Sequence, residues 1–579
     1  MKQNVRVWIV FVALLMAPLC SHADATVIVE KNVAVPMRDG VVLRADIFRP
    51  DSKEPLPVLL YRTPYDKHFA AREYRTHLKA VERGYVVVLQ DVRGRYASDG
   101  LFNPYFNEGD DGYDSIEWAA KQSWSNGDVG TYGLSYPAAV QWLAAVRSPP
   151  HLKAMVPAMT FSSPRNFFYM NGIFDMSWLP WIYFNIAPDA RARLGIEGDS
   201  TDAEVAAAWD KDGDALLSHL PLQSLPMLRD EAPFYFDWLA HSPYDDWWSW
   251  AEIRGRYHRT DAAVLNISGW FDEAYGPEGA VTNFKGLVDA RKQKPSRTQL
   301  ILGPWQHGVF ETGEHRLGEL YFGPDAGIDY DETLLQFFDR HLKHKETARD
   351  AAVRYWVMGA NEWRTADEFP PAAAASLTFC LGNKDGGLLQ DCELPSNAAT
   401  TTFTADPQHP VVDPYGSFAA HDFQILAERD DVLVFETAPL EKAVTMAGYA
   451  TAQLFVSCDC RDFDLWVRLM DVYPDGRAIN LMSPGGDVQR MSYRNDTPEK
   501  QLLTPGKVYA VAIDGLLTAN RFDIGHRIRI QVSASFSPHL SRNLQTGESE
   551  ITSAESRKAV ITLHHDVELP ATLKLPVIH

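Results

Sequence analysis

The stretch Val129-Gly130-Thr131-Tyr132-Gly133-Leu134-Ser135-Tyr136-Pro137-Ala138 decides the fold of this protein. Its first half has the β-branched and aromatic character of a strand, and its second half continues through Gln141 and Leu143 with the pattern of a helix. Between the halves, Gly133-Leu134-Ser135 predicts a sharp strand-to-helix turn that exposes the Ser135 hydroxyl beside the helix N-terminus. A Gly-x-Ser turn alone is also a common tight connection, and here Pro137 replaces the second glycine of the Gly-x-Ser-x-Gly pattern.

Two further reactive residues follow Ser135 in the chain order typical of α/β-hydrolases. Asp272 comes after a strand pattern that ends near Ile267, and His307 follows the next strand pattern, Leu300-Ile301-Leu302. Asp272 would orient the imidazole and stabilise its cation, while His307 would take the proton of Ser135 and return it to the leaving group. A single His after a strand is usually an ordinary loop residue. The three residue types in this order, each at the end of a strand, favour a catalytic triad.

A triad of this kind also needs an oxyanion hole. The backbone N–H of Tyr136, directly after the candidate nucleophile, is the first predicted donor. The loop Tyr61-Arg62-Thr63-Pro64-Tyr65-Asp66-Lys67 lacks a glycine run that could present a second backbone amide. We therefore predict that the phenolic O–H of Tyr65 is the second donor, with simple packing of Tyr65 as the alternative.

Around this centre, the chain alternates short apolar runs with helical patterns. Val33–Met37 and Val41–Asp46 flank an Asp-Gly pair and predict a β-hairpin. The runs Val58–Tyr61 and Tyr85–Gln90 are continuously apolar or nearly so, which is typical of parallel strands covered on both faces.

The character of the sequence then changes twice. One segment is rich in aromatic residues at helical spacing, which favour a packed core over a pocket: Trp178, Trp181, Tyr183, Trp238, Trp247 and Trp248. Further on, short alternating strands with Gly, Pro, Asn and Asp turns are typical of a β-sandwich or jelly roll. We predict the fold class α/β, with an α/β-hydrolase domain in two parts (residues 26–161 and 259–350), a helical cap insertion (162–258) and a C-terminal β jelly-roll domain (351–579).

The N-terminus has the pattern of a secretory signal. Lys2 and Arg6 precede the apolar run Val7–Leu19, and small residues suited to cleavage follow. This run is too short for a membrane span. Lipidation at Cys20 is disfavoured because the residues before it lack the small side chain that such processing expects. We predict a signal peptide over residues 1–25 and an exported, periplasmic or secreted protein without membrane attachment after its removal.

Removal of that segment leaves four cysteines that can pair in an oxidising compartment. Cys380 and Cys392 flank a glycine-containing turn, so a bridge across a hairpin is favoured. Cys458 and Cys460 are one residue apart in a predicted strand, where alternate side chains face opposite directions, and we do not expect them to pair with each other. A structural metal site is the weaker alternative.

Charge and motifs exclude several classes of partner. The formal net charge of -21 argues against nucleic-acid binding, which needs clustered Lys and Arg. The chain has neither a phosphate-binding glycine loop nor a zinc protease motif. We predict no cofactor, no metal and a small-molecule substrate, and make no prediction of oligomeric state.

Several stretches along nearly the whole chain form one set: Thr63-Pro64-Tyr65-Asp66, Gln90–Gly100, Gly133–Tyr136, Gly269–Asp272, Gly303–His307, Val357–Arg364, Val472–Arg477 and Arg542–Gly547. Together they resemble the cocaine esterase-like (CocE/NonD) hydrolases, relatives of the Xaa-Pro dipeptidyl-peptidases, α-amino acid ester hydrolases and glutaryl-cephalosporin acylases. The resemblance implies a hydrolase domain, a helical cap and a C-terminal jelly roll. It also implies Ser135, Asp272 and His307 as the triad, with Tyr65 and the Tyr136 amide as the oxyanion hole.

The sequence departs from one branch of this family. The α-amino acid ester hydrolases carry substrate-binding carboxylates two and three positions after the triad Asp, where this chain has Ala274 and Tyr275. Glu273 and Glu278 are nearby but out of that register. An α-amino ester substrate is therefore disfavoured, and a neutral or aromatic acyl group fits better. Ala138 also stands where the family usually has glycine.

Three hypotheses follow. The first is hydrolysis of a carboxylic ester, or of an amide, through an acyl-enzyme on Ser135. The second is an aminopeptidase or acylase of the Xaa-Pro dipeptidyl-peptidase type. The third is a catalytically inert binding protein whose jelly roll recognises a ligand, which the intact set of Tyr65, Ser135, Asp272 and His307 disfavours.

Overall fold

A computed structural model of the chain describes residues 27–273, 275–291, 297–345, 351–373, 375–382, 386–390, 392, 394 and 399–579. The predicted signal peptide, residues 1–25, lies outside the described residues. Across the described ranges, the helices are too short or too polar to cross a membrane.

The first part of the chain alternates strands and helices as its sequence predicts. The predicted hairpin is confirmed, since Val35 pairs with Leu43 in antiparallel register. The elements are β1 (Val27–Pro36), β2 (Val42–Pro50), β3 (Leu56–Thr63), α1 (Lys67–Glu73), α2 (Thr76–Glu82), β4 (Val86–Asp91), α3 (Glu108–Ala120), β5 (Ser125–Leu134), α4 (Tyr136–Ala145) and β6 (Leu152–Ala158).

The aromatic-rich segment that follows is mainly helical. Its longest helix begins with a capping box, in which Thr201 and Glu204 exchange side-chain to backbone hydrogen bonds. Its elements are β7 (Tyr169–Met170), β8 (Ile173–Phe174), α5 (Trp178–Trp181) with a π-helical continuation (Ile182–Ile186), α6 (Ala187–Leu194), α7 (Asp202–Leu217) and α8 (Pro233–Ala240).

The chain then returns to the first sheet. The elements are β9 (Ala263–Phe271), α9 (Tyr275–Ala290), β10 (Thr298–Gln306), β11 (Arg316–Leu317), β12 (Leu320–Tyr321), α10 (Tyr330–Leu342), β13 (Val353–Val357) and β14 (Glu362–Ala366). Strand β13 pairs in parallel with β10, so this sheet continues past residue 350. Short 3₁₀ segments occur at Pro164–Asn166, Leu222–Ser224, Asp246–Ala251, Tyr257–Arg259, Phe310–Gly313, Phe423–Glu428 and Met491–Tyr493.

The described strands of this sheet follow the order β1-β2-β4-β3-β5-β6-β9-β10-β13-β14. The strands from β4 through β13 run parallel. Strands β4 and β9 are buried along their whole length, because helices cover both faces of a parallel sheet. The carboxyl ends of parallel strands meet at one edge, and β3, β5, β9 and β10 end there beside the candidate residues.

The C-terminal part consists mainly of antiparallel strands, as predicted. They are β15 (Ala375–Leu381), β16 (Leu388–Leu389), β17 (Thr400–Ala405), β18 (Leu433–Glu436), β19 (Val444–Cys458), β20 (Asp464–Val472), β21 (Ala478–Asn480), β22 (Val488–Arg490), β23 (Tyr509–Phe522), β24 (Arg527–Ser533), β25 (Ala559–His564) and β26 (Thr572–Val577). One sheet has the order β16-β15-β26-β19-β25-β17 with β23 on β19, and the other has β18-β24-β20-β21 with β22 on β20. Side chains of both sheets share one apolar core. The predicted class, α/β with a C-terminal β domain, is confirmed.

The disulfides agree with one prediction and contradict another. Cys380 and Cys392 are bonded across the β15–β16 hairpin, as expected. The expectation that Cys458 and Cys460 do not pair is wrong, because these two residues are bonded with a Cα–Cα distance of 5.2 Å. Strand β19 ends at Cys458 and the chain bends through Cys460. Alternation of side chains between faces applies only within a strand, so it does not separate these two cysteines.

Candidate active site

Ser135 lies at the turn between β5 and α4. Its backbone has φ 66° and ψ -126°, a conformation that L-residues rarely adopt and that stores about 1–3 kcal/mol of strain. The conformation is held by hydrogen bonds, since the Ser135 N–H donates to the Ala158 carbonyl (3.0 Å) and the N–H groups of Ala138 and Ala139 donate to the Ser135 carbonyl (2.9 and 3.0 Å). The turn predicted from Gly133-Leu134-Ser135 is therefore present.

The turn tolerates Pro137 and requires Gly133. Pro137 occupies the second position of α4. A backbone N–H at this position has no intrahelical acceptor, so its absence in proline costs the helix no hydrogen bond. Gly133 has φ 141°, and a Cβ there would lie 2.5 Å from the Pro137 Cβ. The incomplete Gly-x-Ser-x-Gly motif thus retains the glycine that its geometry needs.

Asp272 follows β9 and is fully buried. Its Oδ1 accepts a hydrogen bond from the backbone N–H of Glu273 (2.8 Å), and its Oδ2 accepts one from the Ser268 hydroxyl (2.7 Å). A Cβ on Gly276, in the first turn of α9, would lie 1.7 Å from Oδ2. These three contacts hold the carboxylate in a fixed orientation beside His307.

His307 follows β10, and its Nδ1 lies 2.6 Å from Asp272 Oδ1. Burial favours the neutral imidazole, but the charge and hydrogen bond of Asp272, with added effects of Glu273 and Glu311, raise the pKa of His307 to about 9. The pair has the arrangement in which a carboxylate orients a histidine and stabilises its cation.

Tyr65 lies in the β3–α1 loop and contacts the cap. Its hydroxyl oxygen accepts a hydrogen bond from Trp181 Nε1 (2.9 Å), and its side chain also interacts with Ser135. Burial raises the pKa of Tyr65, so the phenol keeps its proton. Because the Tyr65 oxygen already accepts a hydrogen bond from Trp181, the Tyr65 hydroxyl is free to donate its own proton to another acceptor.

Tyr136 begins α4 directly after Ser135. The N–H of a first helical residue has no intrahelical acceptor, so this amide is available to an oxyanion. The side chain is held away from the site, because its hydroxyl donates to Glu108 Oε1 (2.9 Å) and accepts from the Tyr105 N–H (3.0 Å).

The loop that carries Tyr65 is held by buried charged residues. Lys67 forms an ion pair with Asp91 at 2.7 Å, and neither side chain is exposed. Arg95 donates to the Pro64 carbonyl (2.8 Å) and to carbonyls of residues 185 and 186 in the cap. These contacts give a structural reason for the charged residues of the motifs around Tyr65 and Asp91.

Ser135, His307 and Tyr65 line one cavity of about 290 Å³. Trp178 and Trp181 of the cap also line this cavity. The other cap aromatics singled out in the sequence do not, and Tyr183, Trp238 and Trp248 are buried in a packed cluster.

The cavity is also lined by residues to which the sequence alone gave no role in the site. Glu273 is on its wall, next to Asp272 in the chain, although it is out of register with the carboxylates of the α-amino acid ester hydrolases. Glu278 does not line it and pairs with Arg254 at 2.8 Å. The position of Glu273 directly after Asp272 could have indicated that it lies near the site. Tyr105 and Tyr275 also line the cavity, but nothing in their sequence neighbourhood indicates this.

Within the ranges that the structure describes, no group of three or more His, Cys, Asp or Glu side chains is arranged to hold a metal ion. The site is instead a serine, a histidine and a carboxylate with two hydrogen-bond donors beside them.

Two family models match the chain. The model of the X-Pro dipeptidyl-peptidase (S15 family) matches residues 39–309, and that of the X-Pro dipeptidyl-peptidase C-terminal non-catalytic domain matches residues 346–574. Among solved structures, an aminopeptidase from the marine sediment archaeon Thaumarchaeota archaeon has a TM-score of 0.80 at 26% identity, over 98% of this chain and 99% of that one. An α-amino acid ester hydrolase has a TM-score of 0.80 at 23% identity, over 98% and 100%, which shows the shared fold.

A curated relative is more similar in sequence. Cocaine esterase of Rhodococcus sp. (strain MB1 Bresler) is 34% identical in an alignment of 595 positions, gaps included, that covers 96% of this chain and 99% of the relative. This similarity extends through the hydrolase sheet, the cap and the C-terminal β domain. The chain is therefore a hydrolytic enzyme and belongs to the cocaine esterase-like (CocE/NonD) hydrolase family, related to the Xaa-Pro dipeptidyl-peptidases.

Proposed function

We propose that this protein hydrolyses a carboxylic ester through an acyl-enzyme on Ser135. His307 takes the proton of the Ser135 hydroxyl as the oxygen attacks the carbonyl, and then gives it to the leaving oxygen. Water, activated by the same imidazole, releases the acid. The 2.6 Å contact between His307 Nδ1 and Asp272 Oδ1, beside the cavity that contains Ser135, carries the proposal.

The oxyanion of the tetrahedral intermediate is bound by the Tyr65 hydroxyl and the Tyr136 amide. Both donors lie beside Ser135, and the N-terminal end of α4 adds a favourable dipole. The fixed orientation of the phenol by Trp181 supports this role, because a preorganised donor stabilises charge without reorganising during the reaction.

Tyr65→Phe should lower kcat by roughly 10²–10³-fold, as expected for the loss of one oxyanion donor. The ring remains, so the fold and the affinity for substrate should change little. Steady-state kinetics on an aryl ester measure the effect. Tyr105→Phe is the matched control, because it removes another phenol of the same cavity and should keep nearly full activity. An unchanged rate in Tyr65→Phe would assign Tyr65 to packing.

The activity should rise with pH. His307 acts as a base only when neutral, and its pKa is raised to about 9, so kcat/KM should increase as the pH rises towards that value. The carboxylate of Glu273 contributes to this elevation, so Glu273→Gln should shift the rising limb to lower pH. A pH–rate profile measures both effects, and Glu278→Gln, a change in a neighbouring acid paired with Arg254, should leave the limb in place. A profile that falls between pH 7 and 9 would contradict the assignment.

An amino-acyl amide, the substrate of an aminopeptidase, is the second candidate. The Glu273 carboxyl on the cavity wall favours it, because a carboxylate can bind the ammonium group of an amino-acyl substrate. This observation weakens the expectation that α-amino substrates are disfavoured. A hydrolysis panel of acyl esters, amino-acyl esters and Xaa-Pro amides separates the candidates. We expect simple acyl esters to be cleaved with the highest kcat/KM, and a preference for Xaa-Pro amides would instead favour the peptidase.

We also propose that the protein is exported. The basic residues and apolar run of residues 1–25 support export, and so do two disulfides, which persist in oxidising compartments. Expression of the full chain in a bacterium with a secretion pathway should yield a mature protein whose N-terminus lies near residue 24 or 26. Fractionation and N-terminal sequencing measure this, and an intracellular protein that retains Met1 would contradict it.

A further inference from the structure

The cavity beside Ser135 is lined by residues of two different apolar clusters. Tyr105, Trp178 and Tyr275 belong to the apolar cluster that includes the cap. Tyr61, Tyr132 and Tyr330 belong to a different cluster, packed with Phe338 and the rest of α10. We call one part of the cavity the phenol lobe; it is bounded by Tyr61, Tyr74, Tyr132 and Tyr330.

The phenol lobe groups tyrosine hydroxyls that make no hydrogen bond to another side chain in the part of the chain that the structure describes. Tyr330 has a buried hydroxyl without a hydrogen bond. The hydroxyls of Tyr61, Tyr74 and Tyr132 likewise make no hydrogen bond to another side chain among the described residues, although Tyr61 and Tyr132 pack with ring centroids 5.3 Å apart. Polar groups enclosed in folded proteins nearly always have partners, so the hydroxyls that face the cavity favour a ligand or water there. Burial raises the pKa of each phenol, so each keeps a proton to donate.

Among the described residues, the side chains that line the lobe are uncharged, and Glu73 and Glu311, which act on Tyr74, do not line the cavity. Asp331 lies near Tyr132 and Tyr330, but its carboxylate accepts from the Thr76 hydroxyl (2.6 Å) and pairs with Lys79 (2.8 Å). His77 is the imidazole of the lobe, and burial lowers its pKa so that it stays neutral. Apart from Thr76, whose hydroxyl donates to Asp331, the remaining walls are apolar or aromatic, which suits an uncharged ring with oxygen substituents.

The phenol lobe lies on the His307 side of the cavity, where the leaving group of an ester must be protonated. Gly308 and Val309, directly after His307, line the cavity, and Val309 packs against the cluster of Tyr61, Tyr132 and Tyr330. His307 must reach the leaving oxygen to protonate it. Tyr65 and Trp181, on the oxyanion side, pack instead with the cap cluster. The lobe is therefore placed to receive the alcohol half of an ester whose carbonyl oxygen faces Tyr65.

The rim of the lobe adds an aromatic surface. Phe310 is 62% exposed and its ring lies 5.8 Å from that of Tyr74. An exposed ring beside a tyrosine of the cavity wall offers a face on which a planar group can stack.

We propose that the phenol lobe binds the alcohol half of the substrate and selects an uncharged aromatic alcohol whose ring carries hydroxyl groups. The phenols donate to, and accept from, the ring hydroxyls, while the aromatic walls enclose the ring. This inference rests on the proposed function, since it names the alcohol released at Ser135.

The test compares two esters with the same acyl group, benzyl acetate and 3,5-dihydroxybenzyl acetate. The methylene separates the ring from the leaving oxygen, so the ring hydroxyls change its basicity little. We expect kcat/KM to favour the dihydroxy ester by about 10-fold, the scale of a net hydrogen-bond gain. Tyr132→Phe and Tyr330→Phe should each reduce this preference. Tyr235→Phe, a buried tyrosine outside the cavity, should retain it.

Two controls keep the outcomes distinct. Tyr330→Phe removes an unpaired buried hydroxyl, so its Tm should equal or exceed that of the wild type, and a lost preference in a stable variant is then not a folding defect. Hydrolysis of benzyl acetate itself reports the proposed esterase function. If benzyl acetate is hydrolysed but the preference is absent, or persists in both Phe variants, the phenol-lobe assignment is overturned. A tyrosine-dependent preference seen instead between methyl benzoate and methyl 3,5-dihydroxybenzoate would overturn the placement of the alcohol half.

Discussion

Ser135→Ala should reduce kcat by about a million-fold, as the loss of a nucleophile does in serine hydrolases, while the fold is retained. The substitution removes only the hydroxyl. Alanine keeps the Cβ of serine, so the strained turn with φ 66° and its hydrogen bonds to Ala158, Ala138 and Ala139 are not altered further. A residual rate above that in water is expected from the oxyanion donors and from substrate binding.

Labelling with a fluorophosphonate probe tests Ser135 as the nucleophile and needs no substrate. The wild-type protein should be labelled and Ser135→Ala should not. Ser177→Ala is the matched control, because Ser177 lines the same cavity and its loss should leave the label in place. An unlabelled wild-type protein, or label retained in Ser135→Ala, would falsify the nucleophile assignment and favour the inert binding protein.

His307→Ala should lower turnover by several orders of magnitude and abolish the pH dependence that centres near 9. Without the imidazole, the Ser135 proton has no base to accept it and the leaving group has no acid. Asp272 would also lose its partner at 2.6 Å and remain as a buried carboxylate, so a moderate loss of stability is expected.

Kinetics, thermal unfolding and chemical rescue check this prediction together. Added imidazole should restore part of the activity of His307→Ala if the missing group is the base. His409→Ala is the matched control, because His409 forms a His–Asp pair with Asp406 at 2.9 Å on the surface of the C-terminal domain, far along the chain from the site. Full activity of His307→Ala with a normal pH profile would require a different base.

Much of the fold could be predicted from local patterns. Continuous apolar runs such as Val58–Tyr61 identify strands covered on both faces, and the alternating pattern around Asp39-Gly40 identifies a hairpin. The candidate triad could be predicted for a related reason. Ser135, Asp272 and His307 each follow a strand, and the carboxyl ends of parallel strands converge at one edge of the sheet.

The remaining features depend on contacts between elements that are distant in sequence. The pairing of Cys458 with Cys460 follows from where β19 ends, which a local pattern does not reveal. The aromatics of the cap show the same limit, because their spacing is alike whether they face a core, as Trp238 does, or a cavity, as Trp178 does. Local spacing determines which face of an element is apolar, whereas packing determines what that face meets.

The sequence by itself determined the α/β class, the sharp strand-to-helix turn at Ser135 and the order in which an acid and a histidine follow it. These features depend on residues adjacent in the chain and on the general geometry of parallel sheets. Only the tertiary structure decided the 2.6 Å contact of His307 with Asp272, the place of Glu273 on the cavity wall and the grouping of phenols from β3, β5 and α10. A cavity is the space left where separate elements pack, so its chemistry follows from their relative positions and cannot be read from any one of them.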